Sequence, residues 1–259
     1  MTKFSKLAAA AALVMAAAGA QAAFVIDDFS LGQADLSDFA NGVLPVNTAA
    51  YGTDLASGVG STSGLSGSII GTQRDLMVYK VNQTGTAASR AVTGGVDGGL
   101  FTFSSPAQTS GFAVLRWDGA GTSFNQALST SGLGGVDLSS FGFGIRVKSQ
   151  NDLAYDITLQ AWTEETVGNW VLKEKTVSAP SSSSSQQNID FLFSSASFLG
   201  ADFSRVGALQ LIVNTGALTS ALDVDIDIIA NVVPEPGTLA LAGAALLGLA
   251  AARRRKNTA

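Results

Sequence analysis

The sequence predicts an all-β protein whose central region is an antiparallel β-sandwich. Short runs of residues alternate apolar and polar side chains with a period of two, which is the period of a strand. Gly, Ser, Thr and Asn separate these runs, and no long stretch of this region has helical periodicity. Roughly ten short strands with turn signals between them are typical of a single two-sheet sandwich.

The N-terminus has the pattern of a secretory signal. Lys3 and Lys6 are followed by an unbroken run of Ala, Leu, Val, Met and Gly over residues 7–20. Ala20, Gln21 and Ala22 then fit the small-x-small pattern of a cleavage site. We therefore predict a signal helix over residues 1–22.

Ten strands are predicted between residues 23 and 231. The segment around Trp162 shows the alternation most clearly, because Tyr155, Ile157, Leu159 and Ala161 share one face while Asp156, Thr158 and Gln160 share the face of Trp162. The predicted strands cover residues 24–30, 75–81, 99–104, 111–117, 142–148, 154–163, 169–177, 188–193, 208–214 and 222–230.

Other segments are predicted to be connections. Residues 52–71 are rich in Gly and Ser, and residues 181–185 are five consecutive serines after Pro180. The glycine-rich string 94–99 is not a phosphate-binding loop, because no helix follows it and no Lys completes the motif. With no internal repeat of fixed period, residues 23–231 are predicted to form one domain.

The C-terminus has three parts in a fixed order. Pro234 and Pro236 flank Glu235, and two prolines at this spacing continue neither a strand nor a helix. Residues 237–252 are almost wholly apolar, and a basic block follows, which is Arg253, Arg254, Arg255 and Lys256. This order predicts a membrane-inserting helix with its basic end on the cytoplasmic side. About 16 residues at 1.5 Å rise span roughly 24 Å, which is short of a roughly 30 Å hydrocarbon core.

This three-part C-terminus, residues 232–259, resembles the PEP-CTERM sorting signal of Gram-negative bacteria. The resemblance implies processing by exosortase, a membrane-embedded cysteine transpeptidase, near Pro234, Glu235 and Pro236, with Arg253, Arg254 and Arg255 as the basic end of the signal. It also implies export through the inner membrane, transient residence there, and a final place at the cell surface or outside the cell. A plain C-terminal anchor is the alternative, but it would need no glutamate between two prolines.

Removing both ends leaves nine basic and nineteen acidic residues, a net charge near −10. Such a domain repels nucleic acid and anionic membrane surfaces, so neither is expected to be a partner of the mature domain. The chain contains no Cys and no His. Disulfides, Cys or His nucleophile pairs and most zinc or copper sites are therefore excluded, whereas carboxylate chemistry and oxygen-ligated cations are not.

Four blocks of the central region resemble the galactose-binding-like jelly roll of carbohydrate-binding modules. They are residues 25–29, residues 136–140 with the strand after them, residues 202–206 with the strand after them, and residues 223–228. The resemblance implies a jelly-roll sandwich and, by analogy, a structural calcium ion where the first and last strands meet.

Three alternating carboxylates, Asp223, Asp225 and Asp227, stand on the last predicted strand and share one face. Their mutual repulsion is relieved by solvent or by a cation. We predict a Ca²⁺ site in which one or two of these carboxylates are joined by Asp27, Asp28 or backbone carbonyl oxygens of the first strand. A wet, half-exposed acidic face is the alternative.

Aromatic side chains give a second candidate site. Trp162 and Gln160 lie on the polar face of their strand, so the ring of Trp162 is predicted to be exposed for stacking on a sugar, with Trp117 as a further ligand-contacting residue. Tyr155, Tyr51 and Trp170 are further candidates for this platform. Phe101, Phe103, Phe141 and Phe143 are predicted to lie in the core.

Catalysis is not predicted. Glycoside hydrolysis needs two carboxyl groups across one bond, whereas Glu164 and Glu165 are adjacent and point to opposite faces of a strand. Their position before Gly168 and Asn169 predicts a hairpin turn. The sequence therefore favours a non-enzymatic surface or extracellular-matrix protein of the biofilm type that associates with exopolysaccharide. A carboxylate-dependent polysaccharide hydrolase or lyase and a purely structural matrix subunit are the alternatives.

Overall fold

The computed structural model describes residues 24–39, 59–62, 69–83, 90–119, 127–216 and 218–233. These residues form thirteen strands in two antiparallel sheets, which confirms the predicted all-β sandwich. The predicted signal helix and C-terminal helix lie outside the described residues. Among the residues that are described, no helix has the length and apolar character that crossing a membrane requires.

The first sheet, sheet A, contains the strand from each end of the sandwich. Its strand order is β11-β8-β13-β6-β5-β2, and β1 also pairs with β13. The bounds of its strands are β1 Val25–Asp27, β2 Gln33–Asp38, β5 Val92–Asp97, β6 Leu100–Ser105, β8 Gly144–Asn151, β11 Gln187–Leu192 and β13 Leu222–Asn231.

The second sheet, sheet B, has the strand order β10-β9-β12-β7-β4-β3. Its strands are β3 Val59–Thr62, β4 Arg74–Gln83, β7 Thr109–Trp117, β9 Tyr155–Thr166, β10 Asn169–Ala179 and β12 Val206–Thr215. Two short 3₁₀ turns, Ile70–Thr72 and Ala196–Phe198, lie in the connections.

The core fills the space between the sheets. On β9 the predicted inner face is confirmed, because Tyr155, Ile157, Leu159 and Ala161 are all buried in the main cluster of apolar side chains. Side chains from β1, β4, β5, β6, β7, β8, β11, β12 and β13 also belong to this cluster. The alternation along β9 therefore has one physical cause, which is burial of its inner face against the other sheet.

A second apolar cluster lies on the opposite face of sheet B. Met77, Tyr79, Phe112 and Val114 are buried together there, and Ile212 packs beside them. The strand pairing places these side chains on the face away from the main core, because Met77 is opposite Val114 and Val114 is opposite Ile212. We call this face of sheet B the outer face.

Each of the ten predicted strands is present, with ends that differ by a few residues. Three strands were missed, namely β2, β3 and β5. Strand β3 lies within residues 52–71, which were predicted to be an irregular connection. Strand β5 contains Gly94 and Gly95, where a Cβ atom would approach Val78 Cγ1 to 2.8 Å and Asp35 Oδ1 to 2.0 Å. Glycine here allows close approach of neighbouring residues and does not mark a loop.

The predicted hairpin turn after Glu165 and the predicted serine connection are both confirmed. The hairpin between β9 and β10 turns at Val167 and Gly168, and Gly168 has a φ of 79°. The serine run lies in the connection from β10 to β11, and its residues are largely exposed.

The prediction that four phenylalanines lie in the core is half right. Phe101 and Phe103 are fully buried. Phe141 and Phe143 are exposed, because they flank Gly142 in the turn before β8 and not in the strand itself. The alternation that assigned them to the core begins only at Gly144.

Candidate functional site

Trp162 lies on the outer face of sheet B, in the middle of three neighbouring strands. It is opposite Leu172 of β10 and opposite Ala208 of β12. The ring is half-buried, and Leu172 beside it is exposed. Trp162 and Leu172 together form an apolar step on the surface.

A row of polar side chains runs beside this step across the same face. We call it the polar row, and it consists of Glu174, Gln160, Gln210, Arg116 and Asp75, one from each of five neighbouring strands. Gln160 Nε2 donates to Glu174 Oε2 at 2.8 Å, and Gln210 Nε2 donates to Gln160 Oε1 at 2.9 Å. Arg116 Nε donates to Gln210 Oε1 at 3.4 Å.

The polar row changes from buried to exposed along its length. Asp75, Arg116 and Gln210 are buried, Gln160 is half-buried and Glu174 is exposed. The buried members fix the orientation of the amide of Gln160, and Gln160 in turn holds the carboxylate of Glu174. An ordered carboxylate and amide therefore lie beside the apolar step of Trp162 and Leu172.

Trp170 extends this surface toward the hairpin turn. It lies two residues before Leu172, on the same face of β10. A Cβ atom at Gly207 of β12 would come within 2.5 Å of its ring atom Cζ3, so the ring packs directly on the backbone of Gly207. Trp170 is half-buried in this position. We call Trp162, Trp170 and Leu172, with Gln160 and Glu174, the tryptophan face.

Trp117, the other predicted ligand contact, belongs to the core. Its ring is buried, and its Nε1 donates to Asp27 Oδ2 at 2.9 Å. A ring in this position is not open to a sugar from solvent. Tyr155 is buried as well, and Tyr51 lies outside the described residues.

Asp27 is the centre of a buried charged network. Its carboxylate accepts two hydrogen bonds from Arg74 Nη1, at 2.9 and 3.0 Å, and one from the backbone N–H of Phe29 at 3.0 Å. Arg74 also donates to Gln33 Oε1 and to the carbonyl oxygen of Leu31. The side chains of Asp27 and Arg74 are both fully buried.

Burial raises the pKa of Asp27, and the charge of Arg74 together with the hydrogen bonds from Trp117 and Phe29 opposes that rise. A carboxylate engaged in this way has its oxygens directed at Arg74 and Trp117. The structure therefore does not bring Asp27 together with the three aspartates of β13.

Those three aspartates lie largely as the alternation predicts. Asp223 and Asp225 are exposed between buried apolar neighbours. Partial desolvation and, second, the negative charge of Asp223 raise the pKa of Asp225. A bulge between Ile226 and Ile228 interrupts the register, and Asp227 in this bulge forms an ion pair with Lys148 at 2.8 Å. Within the described residues, no three acidic side chains converge as ligands of a metal would. Calcium binding stays a prediction.

Glu164 and Glu165 each have a cationic partner. Glu164 is buried and forms an ion pair with Arg205, and it also accepts a hydrogen bond from the backbone N–H of Gly168. Glu165 forms an ion pair with Lys173 at 2.6 Å. These contacts fix the base of the hairpin.

Sequence reasoning identified Trp162, Gln160 and Trp170 but missed Glu174, Leu172, Gln210 and Arg116. The sequence does contain a pattern that could have identified two of the missed residues. Gln210 and Arg116 each interrupt an apolar run at a position where a polar side chain indicates the second face of a strand. Only the pairing of the strands places them in one row.

Residues 232–256 match the PEP-CTERM protein-sorting motif. The motif implies export and processing at the membrane by exosortase. Apart from the first two residues of the match, the motif, with Pro234, Glu235, Pro236, Arg253, Arg254 and Arg255, lies outside the described residues. No curated protein sequence matches the chain.

Among solved structures, the chain is similar to carbohydrate-binding modules. One is the family 11 carbohydrate-binding module of the cellulosomal cellulase Lic26A-Cel5E of Clostridium thermocellum, with 14% identity, a TM-score of 0.35, and coverage of 82% of this chain and 96% of that chain. Another is a family 29 carbohydrate-binding module, with 12% identity, a TM-score of 0.32, and coverage of 67% and 88%. TM-scores this low support no transfer of those modules' ligands to this chain.

Proposed function

We propose that this chain is an exported, non-enzymatic protein of the cell surface or extracellular matrix whose sandwich associates with exopolysaccharide through the tryptophan face. The observation that carries this proposal is the position of Trp162, which is half-buried beside exposed Leu172 and next to an ordered amide and carboxylate. The sorting motif supports the exported part of the proposal.

The chemistry of the tryptophan face suits a sugar. The faces of a pyranose carry C–H groups that stack on an indole ring, and its edge carries hydroxyl groups that need hydrogen-bond partners. Trp162 and Leu172 offer the apolar surface, while Glu174 and Gln160 offer a carboxylate and an amide held by the polar row. A neutral polysaccharide also avoids the repulsion that a domain with a charge near −10 exerts on anionic polymers.

A non-enzymatic role is proposed over a hydrolase or lyase because of the contacts of the two adjacent glutamates. Glu164 is paired with Arg205 and Glu165 with Lys173, and both pairs stabilise the β9–β10 hairpin. A purely structural matrix subunit remains the competing role, and ligand binding is what separates the two.

Replacing the ring of Trp162 tests the proposal. We expect Trp162→Ala to lose most of the binding to exopolysaccharide purified from the native host, because the stacking surface disappears. Stacking of this kind is worth on the order of 1 kcal/mol or more for each ring. The measurement is affinity electrophoresis or a pull-down on the polysaccharide, with circular dichroism to verify that the sheets persist.

Leu153→Ala is the matched control, because Leu153 is also exposed but lies in the β8–β9 connection, away from the tryptophan face. It should bind as the unaltered protein does. If the unaltered protein shows no binding at high concentration, or if Trp162→Ala binds as well as Leu153→Ala, the tryptophan face is not the site.

A further inference from the structure

The first and last residues of the sandwich, Phe24 and Val232, lie next to each other. The backbone N–H of Asn231, at the end of β13, donates to the carbonyl oxygen of Phe24 at 2.9 Å. Val232 is then fixed by two backbone hydrogen bonds, one to Gly144 at 2.8 Å and one from Phe143 at 3.1 Å. We call the end of the sandwich where Phe24 and Val232 meet the exit end.

The start of β12 in sheet B lies at the same end. The backbone N–H of Leu138 donates to the carbonyl oxygen of Phe203 at 2.8 Å, and Asn231 Nδ2 donates to the carbonyl oxygen of Leu138 at 2.7 Å. Val206 is opposite Thr163, near the end of β9. The β9–β10 turn and the connection from β11 to β12 therefore belong to the exit end.

Exposed apolar side chains concentrate at this end. Val167 in the β9–β10 turn is 91% exposed, and Leu199 in the connection before β12 is 83% exposed. Phe143 and Phe141 before β8 are 46% and 37% exposed, and Phe141 stacks on Phe24 with ring centroids 4.7 Å apart. The described part of the chain has seven exposed large apolar side chains, and these four are the majority of them. The exit end therefore exposes more large apolar side chains than the rest of the described surface.

The chain that leaves Val232 has little length before the predicted membrane segment. Four residues, 233–236, connect it to the apolar run that begins at residue 237. Five Cα–Cα steps lead from residue 232 to residue 237, so at no more than about 3.6 Å per step the connection reaches at most about 18 Å. The headgroup layer on each side of a bilayer takes about 5–8 Å of that distance. As long as the run is inserted, the exit end is therefore held at the membrane surface.

We propose that in the unprocessed protein the exit end rests on the phospholipid surface of the membrane, with Phe141, Phe143, Val167 and Leu199 in contact with lipid. This inference rests on the exported part of the proposed function and on the predicted membrane segment, and it is independent of polysaccharide binding. Apolar and aromatic side chains at the headgroup level are favourable there and unfavourable in water.

The contact depends on the inserted C-terminal segment, which ties the sandwich to the membrane through residues 233–236 and which we call the tether. A free domain with a charge near −10 is repelled by anionic lipid, whereas a tethered one is held at a high effective concentration beside it. Cleavage near Pro234 removes the tether. The same cut that completes sorting therefore also releases the exit end from the lipid.

Site-directed spin labelling tests this contact, because the chain has no native cysteine that would be labelled. The full chain with its sorting segment, carrying Val167→Cys or Leu199→Cys, is labelled and reconstituted into vesicles of phosphatidylethanolamine and phosphatidylglycerol. We expect both labels to lose most of their accessibility to a water-soluble nickel complex and to gain accessibility to oxygen. A label at Leu153→Cys, away from the exit end, should stay accessible to nickel.

Phe141→Ser combined with Phe143→Ser should restore nickel accessibility at the Leu199→Cys label, with circular dichroism to verify the fold. The proposal is overturned if labels at 167 and 199 are as accessible to nickel as the label at 153. It is also overturned if protection needs added exosortase, since the contact is then with the enzyme. The vesicles contain no polysaccharide, so a failure of polysaccharide binding leaves this result unaffected.

Discussion

Asp27 and Arg74 are a charged pair that the sandwich encloses completely. Asp27 is on β1 of sheet A and Arg74 on β4 of sheet B, so the pair joins the two sheets. Phe29 belongs to the same arrangement, because its φ of 54° is held by the hydrogen bond from its N–H to Asp27, and Arg74 lies 5.4 Å from its ring centroid. Desolvation of both charges is costly, so the pair is stabilising only while both partners are present.

Arg74→Met is expected to lower the free energy of unfolding by about 3–5 kcal/mol, because it leaves the carboxylate of Asp27 buried without its cation. Urea unfolding measures the loss. Arg146→Met is the matched control, since Arg146 pairs with Asp190 at a partly exposed site and such pairs contribute roughly 0–1 kcal/mol. Equal losses in the two variants would contradict a structural role for the buried pair.

The buried hydroxyl group of Tyr155 is expected to make the free energy of unfolding depend on pH in the alkaline range. Its burial raises its pKa to about 12, and a hydrogen bond with Ser149 Oγ at 3.1 Å opposes that rise. Between pH 10 and 12 the unfolded chain loses this proton while the folded chain keeps it. The free energy of unfolding therefore falls as pH rises through this window, by about 2–3 kcal/mol at about 1.4 kcal/mol for each pH unit.

Tyr155→Phe removes this proton, so its unfolding free energy should fall less steeply between pH 10 and 12 than that of the unaltered chain. Unfolding curves at several pH values give the two slopes. Identical slopes would show that Tyr155 does not ionise on unfolding in this range. The variant also loses the hydrogen bond to Ser149, which lowers stability at neutral pH without changing the slope.

For single residues, the sequence predicts on which face of a strand a side chain lies. It does not predict whether a side chain with a polar group is buried or exposed. Trp162 was correctly assigned to the polar face of β9, because its neighbours alternate. Trp117 was assigned to a ligand, yet its ring is buried and its Nε1 needs Asp27 as a partner. The partner lies 90 residues away in the chain, and local patterns carry no information about such pairs.

Strand β12 begins with an irregular pairing that carries part of the tryptophan face. The register with β9 shifts between Val206 and Ala208, which places Gly207 at the shift. A side chain there would meet the carbonyl oxygen of Thr130 at 2.1 Å as well as the ring of Trp170. The absence of a side chain at Gly207 therefore allows the indole of Trp170 to pack closely against the backbone.

Gly207→Ala is expected to destabilise the protein by about 1–3 kcal/mol, because the Thr130 carbonyl is backbone and yields little. It should also move Trp170, which would shift the tryptophan fluorescence. Gly32→Ala serves as the control, since its Cβ would be 3.3 Å from the nearest atom, the carbonyl oxygen of Val96. A variant Gly207→Ala as stable as Gly32→Ala would mean that the backbone at the shift is not constrained.

Strands were predictable where apolar side chains mark at least one buried face. Burial alternates along β6, β8 and β11, whereas β4, β7 and β12 are buried along most of their length. Strand β5 could not be recognised from the sequence, because Gly94 and Gly95 have no side chains that could alternate. The lack of a side chain at these two positions allows Val78 and Asp35 to approach the backbone closely. The bulge in β13 was also hidden, since the sequence alternates through Asp227 and Ile228 while the pairing does not.

For the whole molecule, the residue composition and the alternation of apolar and polar side chains predicted the sandwich, and the C-terminal motif predicted sorting. They did not predict how the candidate binding site is arranged. The sandwich follows from alternation over ten segments, and the sorting motif is a short sequence signal that needs no fold to be read. The tryptophan face, in contrast, needs β10, β9 and β12 to be neighbours in this order. That order is set by packing between distant segments, so the sequence names some members of the face but not their arrangement.

The pairing of β1 with β13 brings the two ends of the sandwich within one hydrogen bond of each other. A module with adjacent ends can be inserted into a loop of another protein without stretching its host. Its ends can also be joined by a short peptide and new ones opened in the exposed serine run between β10 and β11. This sandwich is therefore a portable unit, which another exported protein could carry as an insertion and which an engineer could permute.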